Sequence, residues 1–219
     1  MSLPGQVEGA ISSVSGFDSD TIISPALAQQ FYSMGYRFCL RYLSPDNEAA
    51  GDLSTQEATD ILNSGLALMP VQHVLDPLWS PSQSLGQEYG QNAAANTQTI
   101  GFPPGVNVWC DLEAVNPATN AQDVVDYCRA WYQAVDSSEY VPGLYVGAGA
   151  MLSGPQLYDL PFQHYWRSSS IVPSIPTRGY QLLQLLASIS IGGVQIDLDF
   201  TQNDNQGGRS RWLRVSGSS

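Results

Sequence analysis

Lysine is absent from this 219-residue chain: its eight basic residues are all arginine, against 20 acidic ones, for a formal charge of −12. A protein that grips a phosphate backbone displaces counterions with clustered cations. A chain this acidic repels nucleic acid and anionic membrane surfaces instead. No apolar run approaches the roughly 18 residues of a spanning helix, so no membrane insertion is expected. The N-terminus lacks a basic segment followed by an apolar one, so no signal peptide is visible, although Met1-Ser2-Leu3 could replace one. Cys39, Cys110 and Cys128 show no CxxC or ligand spacing and sit within apolar patterns, which predicts core thiols. No Gly-rich phosphate loop follows the first strand, no Gly-x-Ser-x-Gly elbow exists, and no oxygen-rich loop has EF-hand spacing. Neither a metal nor a cofactor is expected. What is present is 43% hydrophobic residues, enough for one good core, and only 13% charged residues, with abundant Ser, Gln, Asn, Gly and Tyr. That composition suits a neutral, hydroxyl-rich partner such as a polysaccharide.

The stretch Asn107 to Glu113 organises the reading. After the Pro-Pro-Gly turn at 103–105 it runs apolar and ends in Asp111 and Glu113, as a buried strand with two acids at its C-terminal tip would. Residues i and i+2 share a strand face about 6–7 Å apart. Neighbouring carboxylates push their pKa values apart, leaving one to donate a proton while the other stays charged. That equipment suits glycosyl transfer to water.

Around it, strands are predicted at 14–19, 36–43, 66–74, 107–113, 141–146, 162–167, 181–186 and 194–200. Helices are predicted from Ser24-Pro25 to Gly35, with Leu27, Phe31 and Met34 on one face, and from a Ser54–Glu57 capping box to Gly65. Two more run over about 84–100 and from an Asn120 cap along Val124, Cys128, Trp131 and Val135, and a short segment covers 153–160. Such alternation calls for a parallel sheet with crossover helices, and eight strands suggest a closed TIM-barrel-like (β/α) barrel with fewer helices in its last third. The single domain spans 14–202, between an N-terminal tail (1–13) and a C-terminal tail (203–219) that look loosely held.

In such barrels the site lies at the C-terminal strand ends. Taking the last inward-capable polar residue of each strand gives Asp18, Arg41, His73, Asp111 with Glu113, Tyr145, Trp166 with Arg167, Gln184, and Asp197 with Asp199. If the barrel closes, Asp197 adjoins Asp18 while Glu113 faces them. The acids are the candidate catalytic groups, and Arg41, His73, Tyr145, Trp166 and Gln184 the candidate substrate contacts. Each also has a plainer role: Arg41 as a neutralising charge, His73 as a hydrogen-bonded strand end, Tyr145 and Trp166 as barrel packing or sugar-stacking floors, and Asp199 as an outward partner of Arg209 or Arg211.

Gly16-Phe17-Asp18, Phe38 to Leu43, Leu53 to Ala58 with Gly65-Leu66, and Gly90 to Ala93 resemble the glycoside-hydrolase-like domain called DUF1906, or Rv2525c-like. The likeness continues through Ile100 to Gly105, Asp111-Leu112-Glu113, Gly143-Leu144-Tyr145, Leu183 to Leu185 and Val194 to Leu198, covering about 16 to 200. That family is similar to the family 25 lysozymes, muramidases whose barrel has five strand–helix units followed by three strands. The resemblance implies Glu113 as proton donor, Asp111 as its partner, Asp18 and Asp197 as further acids of the mouth, and Tyr145 as the tyrosine ending the fifth strand. Arg41 belongs to the DUF1906 pattern and not to the lysozymes, and an arginine beside the acids would weaken a proton donor. The expected function is a glycoside hydrolase acting on cell-wall polysaccharide, most plausibly peptidoglycan, secreted or acting at the cell envelope. Two alternatives stay open on the same barrel. One is a carbohydrate-binding module without turnover. The other is a structural or delivery protein, with a protein partner in a phage or secretion apparatus.

Overall fold

The structure, a computed structural model, describes residues 2–46, 49–73 and 76–215, with the backbone alone at 186 and 187. Val74, the last residue of the expected third strand, lies outside the described residues, as do Met1 and 216–219 of the two tails. The elements are β1 (Gln6–Gly9), β2 (Ser15–Ser19), α1 (Pro25–Ser33), β3 (Phe38–Leu43), α2 (Thr55–Asn63), β4 (Ala67–Gln72), α3 (Gln83–Ile100) and β5 (Asn107–Leu112). They continue with α4 (Ala121–Asp136), β6 (Val141–Val146), α5 (Gly154–Tyr158), β7 (His164–Arg167), β8 (Leu182–Ile191), β9 (Val194–Thr201) and β10 (Arg211–Arg214).

Strands β2 to β9 close a ring: β4 pairs with β5, and β9 returns to β2. Pairs from β2 to β8 are parallel, whereas β8–β9 and β9–β2 are antiparallel. The expectation of a purely parallel sheet therefore fails at one strand. The reason is a two-residue turn: Gly192 and Gly193 adopt φ of 60° and 85°, the left-handed pair that matches hairpin twist. β8 accordingly runs five residues past its predicted end, and β9 enters the mouth by its N-terminal end.

Helix starts follow local chemistry. Ser24 and Ser82 cap α1 and α3 by accepting from Leu27 and Leu85 N–H groups. Ser54 caps α2 by accepting from Glu57 N–H, but the expected box stays half-formed because the Glu57 carboxylate is turned toward Arg41. Asn120 occupies the cap of α4 without a side-chain bond, and a complete box stands instead at Ser153 and Gln156 of α5. Phe31, Ile61, Val124, Cys128, Trp131 and Val135 are buried against the barrel's outer face, while Met34 follows α1 and is exposed. Burying each large apolar side chain contributes about 1.5–3 kcal/mol before entropy is counted. The cysteines are free and buried, as expected of core thiols.

Within the described residues both ends are tied into the sheet. β1 and β10 pair antiparallel, β10 adds to β4, and Trp212 is buried with Phe38, Leu40, Met69, Trp109 and Trp166 in a plug that fills the lower barrel. Two four-residue strands some 200 positions apart carry no local periodicity that would reveal their pairing, which is why the sequence reading left them as tails. The plug raises the floor, so the open space lies at the upper mouth.

Candidate active site

The inward parity of β5 is set by Trp109, buried in the plug. Two residues on, Asp111 points the same way, and Glu113 follows just past the strand end. Glu113 is tightly placed. Its carbonyl accepts from Trp79 Nε1 at 2.8 Å, and Ala114 after it takes a left-handed φ of 51°. Gly147 lies against its side chain: a Cβ there would stand 2.4 Å from Glu113 Cβ and Oε2. Strain and close approach of this kind concentrate at functional sites.

Opposite, the antiparallel register sets Asp18 directly against Asp197, an arrangement of like charges that disfavours the sheet. Gln184 on β8 bridges them, its Nε2 donating to Asp18 Oδ2 (3.1 Å) and to Asp197 Oδ2 (2.9 Å). The amide is oriented from behind, where Gln184 Oε1 accepts from the Tyr145 hydroxyl and from Ser169 N–H, each at 3.2 Å. Tyr42 O–H donates to Asp18 Oδ1 (3.2 Å), and Ser188 N–H donates to Asp197 Oδ1 (2.6 Å). Asp18, Asp20, Asp111, Glu113, Asp197 and His73 line one open cavity of about 310 Å³, within the size range of small-ligand sites.

Electrostatically the site is held against its own charge. Burial pushes the Asp18 carboxyl up to about 7; repulsion from Asp197 adds to this, and the neighbouring Asp199 with the hydrogen bonds from Gln184 and Tyr42 partly offset it. Burial, then Glu113, then Asp18 raise Asp111 well above the carboxylate range. Glu113 is raised by burial and by Asp197. Beneath them Asp199 is fully buried; its Oδ1 accepts from Trp166 Nε1 at 2.8 Å, and its Oδ2 has no hydrogen-bond partner. Burial, then the nearby Asp18, raise Asp199 well above the ordinary carboxylate value. The ensemble can hold protons at neutral pH and give one up.

Of the residues singled out in the sequence, Asp18, Asp111, Glu113, Asp197 and His73 meet at this cavity, with Tyr145 and Gln184 as the hydrogen-bonded wall behind it. Three expectations are corrected. Arg41 is not a substrate contact: on β3 the inward residues are Phe38, Leu40 and Tyr42, so Arg41 emerges outside the barrel, fully buried. There it pairs with Glu57 at 2.7 Å and donates to the carbonyls of Ser19 and Gly51. Its charge is paired there with Glu57, on the outer face of the barrel wall. Trp166 is not a sugar platform but part of the plug, edge-on to Tyr145 and Trp109. Asp199 faces inward instead of pairing with Arg209 or Arg211. His73 stacks on Tyr42 at 4.6 Å, and its Nε2 is hydrogen-bonded to Asp52 at 2.8 Å. The sequence reading missed Tyr42, Asp20 and Ser188. Tyr42 was findable, because period two from Phe38 and Leu40 selects it over Arg41. Ser188 lies on the unforeseen extension of β8. Among the described residues, no group of three His, Cys, Asp or Glu is arranged to hold a metal ion.

The comparisons with known proteins agree on the architecture. The Mycobacterium tuberculosis Tat-secreted protein Rv2525c, crystallised with L-tartrate, superimposes with a TM-score of 0.68 at 17% identity, over 90% of this chain and 98% of that one. A family 25 glycosyl hydrolase from Bacillus anthracis gives 0.58 at 14% identity (86% and 88%), and the bacterial lysozyme from Streptomyces coelicolor 0.56 at 13% (88% and 93%). No functionally curated protein matches the sequence. The model of the Rv2525c-like, glycoside hydrolase-like domain matches residues 29–201, and the chain therefore belongs to that family.

Proposed function

We propose that the chain is a glycoside hydrolase acting on cell-wall polysaccharide, peptidoglycan in particular, outside the cytoplasm of the organism that makes it. The observation that carries this reading is the set of Asp111 and Glu113 on one strand end, facing the Asp18–Asp197 pair across one cavity, with Asp18, Asp111 and Glu113 all raised in pKa. The likeness to a lysozyme and a family 25 glycosyl hydrolase supports the choice of substrate.

In this reading Glu113 is the general acid: its raised pKa keeps a proton available, and that proton passes to the glycosidic oxygen as the anomeric C–O bond breaks. Asp111 or Asp18 stabilises the oxocarbenium-like transition state, orients the attacking water or positions a substrate acetamido group. Water adds to the anomeric carbon, and its proton returns to a carboxylate. Gln184, set by Tyr145 and Ser169, keeps Asp18 and Asp197 in place. Because the donor must be protonated, the descending limb of the pH–rate profile is displaced upward from that of an ordinary glutamate. The test is mass-spectrometric detection of soluble fragments from purified peptidoglycan, across about pH 4–8, for wild type beside Glu113→Gln. Fragments from wild type alone are expected. Fragments from both would remove Glu113 from the role of acid, and none from either folded protein would favour glycan binding without turnover.

A further inference from the structure

The mouth gathers carboxyl groups without a compensating cation. Asp18, Asp20, Asp111, Glu113 and Asp197 line the cavity, and among the described residues no arginine does. The guanidinium on the adjoining strand, Arg41, is turned to the other face of the barrel wall and taken up by Glu57, while His73 at the rim is engaged by Asp52. Two buried carboxyl oxygens lack a hydrogen-bond partner, Asp199 Oδ2 beneath the floor and Asp111 Oδ1 at the cavity wall. Asp111 is buried and lines the cavity, yet its Oδ1 has no hydrogen-bond partner. A buried acceptor without a donor is costly, and charge-assisted donors satisfy it best. Mutual repulsion already raises Asp111, by way of Glu113 and Asp18, and Glu113, by way of Asp197. A positive charge entering there relieves that repulsion, whereas a neutral hydroxyl relieves none of it. Since no described group of three ligands is arranged for a metal ion, the fitting cation is a polyatomic one that brings several N–H donors.

We propose, resting on the glycoside-hydrolase reading, that this mouth selects glycan strands carrying free amino groups, that is N-deacetylated hexosamines, with the sugar ammonium paired to the Asp111 carboxyl at the cavity wall. An acetamide offers a single neutral N–H and adds bulk where the carboxyl is almost closed off. A strand recognised through its amine also has no acetamido carbonyl to assist at that ring. Its cleavage then depends on a protein carboxylate or on water directed by one.

The probes are tetramers of glucosamine and of N-acetylglucosamine, titrated calorimetrically into wild type and Asp111→Asn at low salt. Beside them, turnover is followed on peptidoglycan that has been N-deacetylated or fully re-N-acetylated. The glucosamine tetramer is expected to bind wild type about tenfold or more tightly, equivalent to roughly 1.4 kcal/mol, with the preference erased in Asp111→Asn and weakened by salt. Equal binding, an acetylated preference, binding of neither, or a preference that survives in Asp111→Asn would each overturn the proposal. The last of these would mean that the acidic surface as a whole is responsible. Cleavage with the acetylated strand preferred would sink this inference and leave the hydrolase reading intact. Selective glucosamine binding without cleavage of either wall preparation would do the reverse.

Discussion

The two faces of strand β3 treat buried charge in opposite ways. On the outer face Arg41 is fully buried, yet every charge has its counterpart: Glu57 accepts from Nε and Nη2, and the carbonyls of Ser19 and Gly51 take other N–H groups. Inside the barrel, Asp18 on the neighbouring strand and Asp111 and Asp199, each two strands from β3, are also buried, and their neighbours include other carboxyl groups. A buried pair that is complete holds structure in place. Buried like charges push pKa values upward and leave the fold less stable than it could be, a cost expected where chemistry is done.

Breaking the outer pair should give the largest stability effect. Arg41→Ala leaves Glu57 buried and unpaired, and is expected to lose about 3–5 kcal/mol, measured by denaturant unfolding. Arg41→Met combined with Glu57→Leu should recover most of it, because a removed pair leaves no orphan charge.

The next largest effect sharpens the inner side. Gly147→Ala adds a methyl where Glu113 Cβ and Oε2 already stand, so the acid must move. Misplacement of about 1 Å costs up to roughly 10²-fold in turnover, and because the atom met is the Glu113 Cβ the backbone must shift too, so the unfolding midpoint should also fall. A variant that hydrolyses like wild type would show that Glu113 need not sit where it does.

A smaller effect concerns pH. The folded pKa of Asp18 is raised to about 7 from an ordinary 3.8, so the folded state binds the extra proton between those values. Its contribution to stability is complete below about pH 4 and is lost as pH rises through 7. Asp111 and Asp199, also raised, act in the same direction. Tm should therefore fall as pH rises from about 4 to above 7, the opposite of a protein whose carboxylates are paired. The smallest change is expected from Asp199→Asn, which keeps an acceptor for Trp166 and removes a buried carboxyl opposed by the charge of Asp18. It should flatten that pH dependence, with Tm gained mainly above neutrality, whereas Asp199→Leu should lose stability at every pH.

These differences explain what the sequence could reveal. The helix stripes, the ring closure of Asp197 beside Asp18, and the Asp111–Glu113 tip were legible because each rests on local period or on neighbours in the ring. Arg41 was misplaced because β3 is apolar on both faces, Phe38 and Leu40 inward and Cys39 and Leu43 outward, so alternation alone does not say which face is the cavity. Trp166 and Asp199 were misread for a related reason. Without the floor supplied by Trp212 and the terminal ribbon, the depth of the plug could not be judged, nor which inward residues lie beneath it. The hairpin at Gly192-Gly193 had its signal in the sequence, and overlooking it hid the reversed entry of β9 and with it Ser188.

Glu113→Gln, with Tm at pH 7 and fragment release from peptidoglycan measured on one preparation, tests whether the mouth acids serve hydrolysis at the expense of the fold. The variant is expected to release no fragments and to melt higher than wild type, since the amide removes repulsion from Asp197. A variant that melts lower, or that still releases fragments, would contradict it.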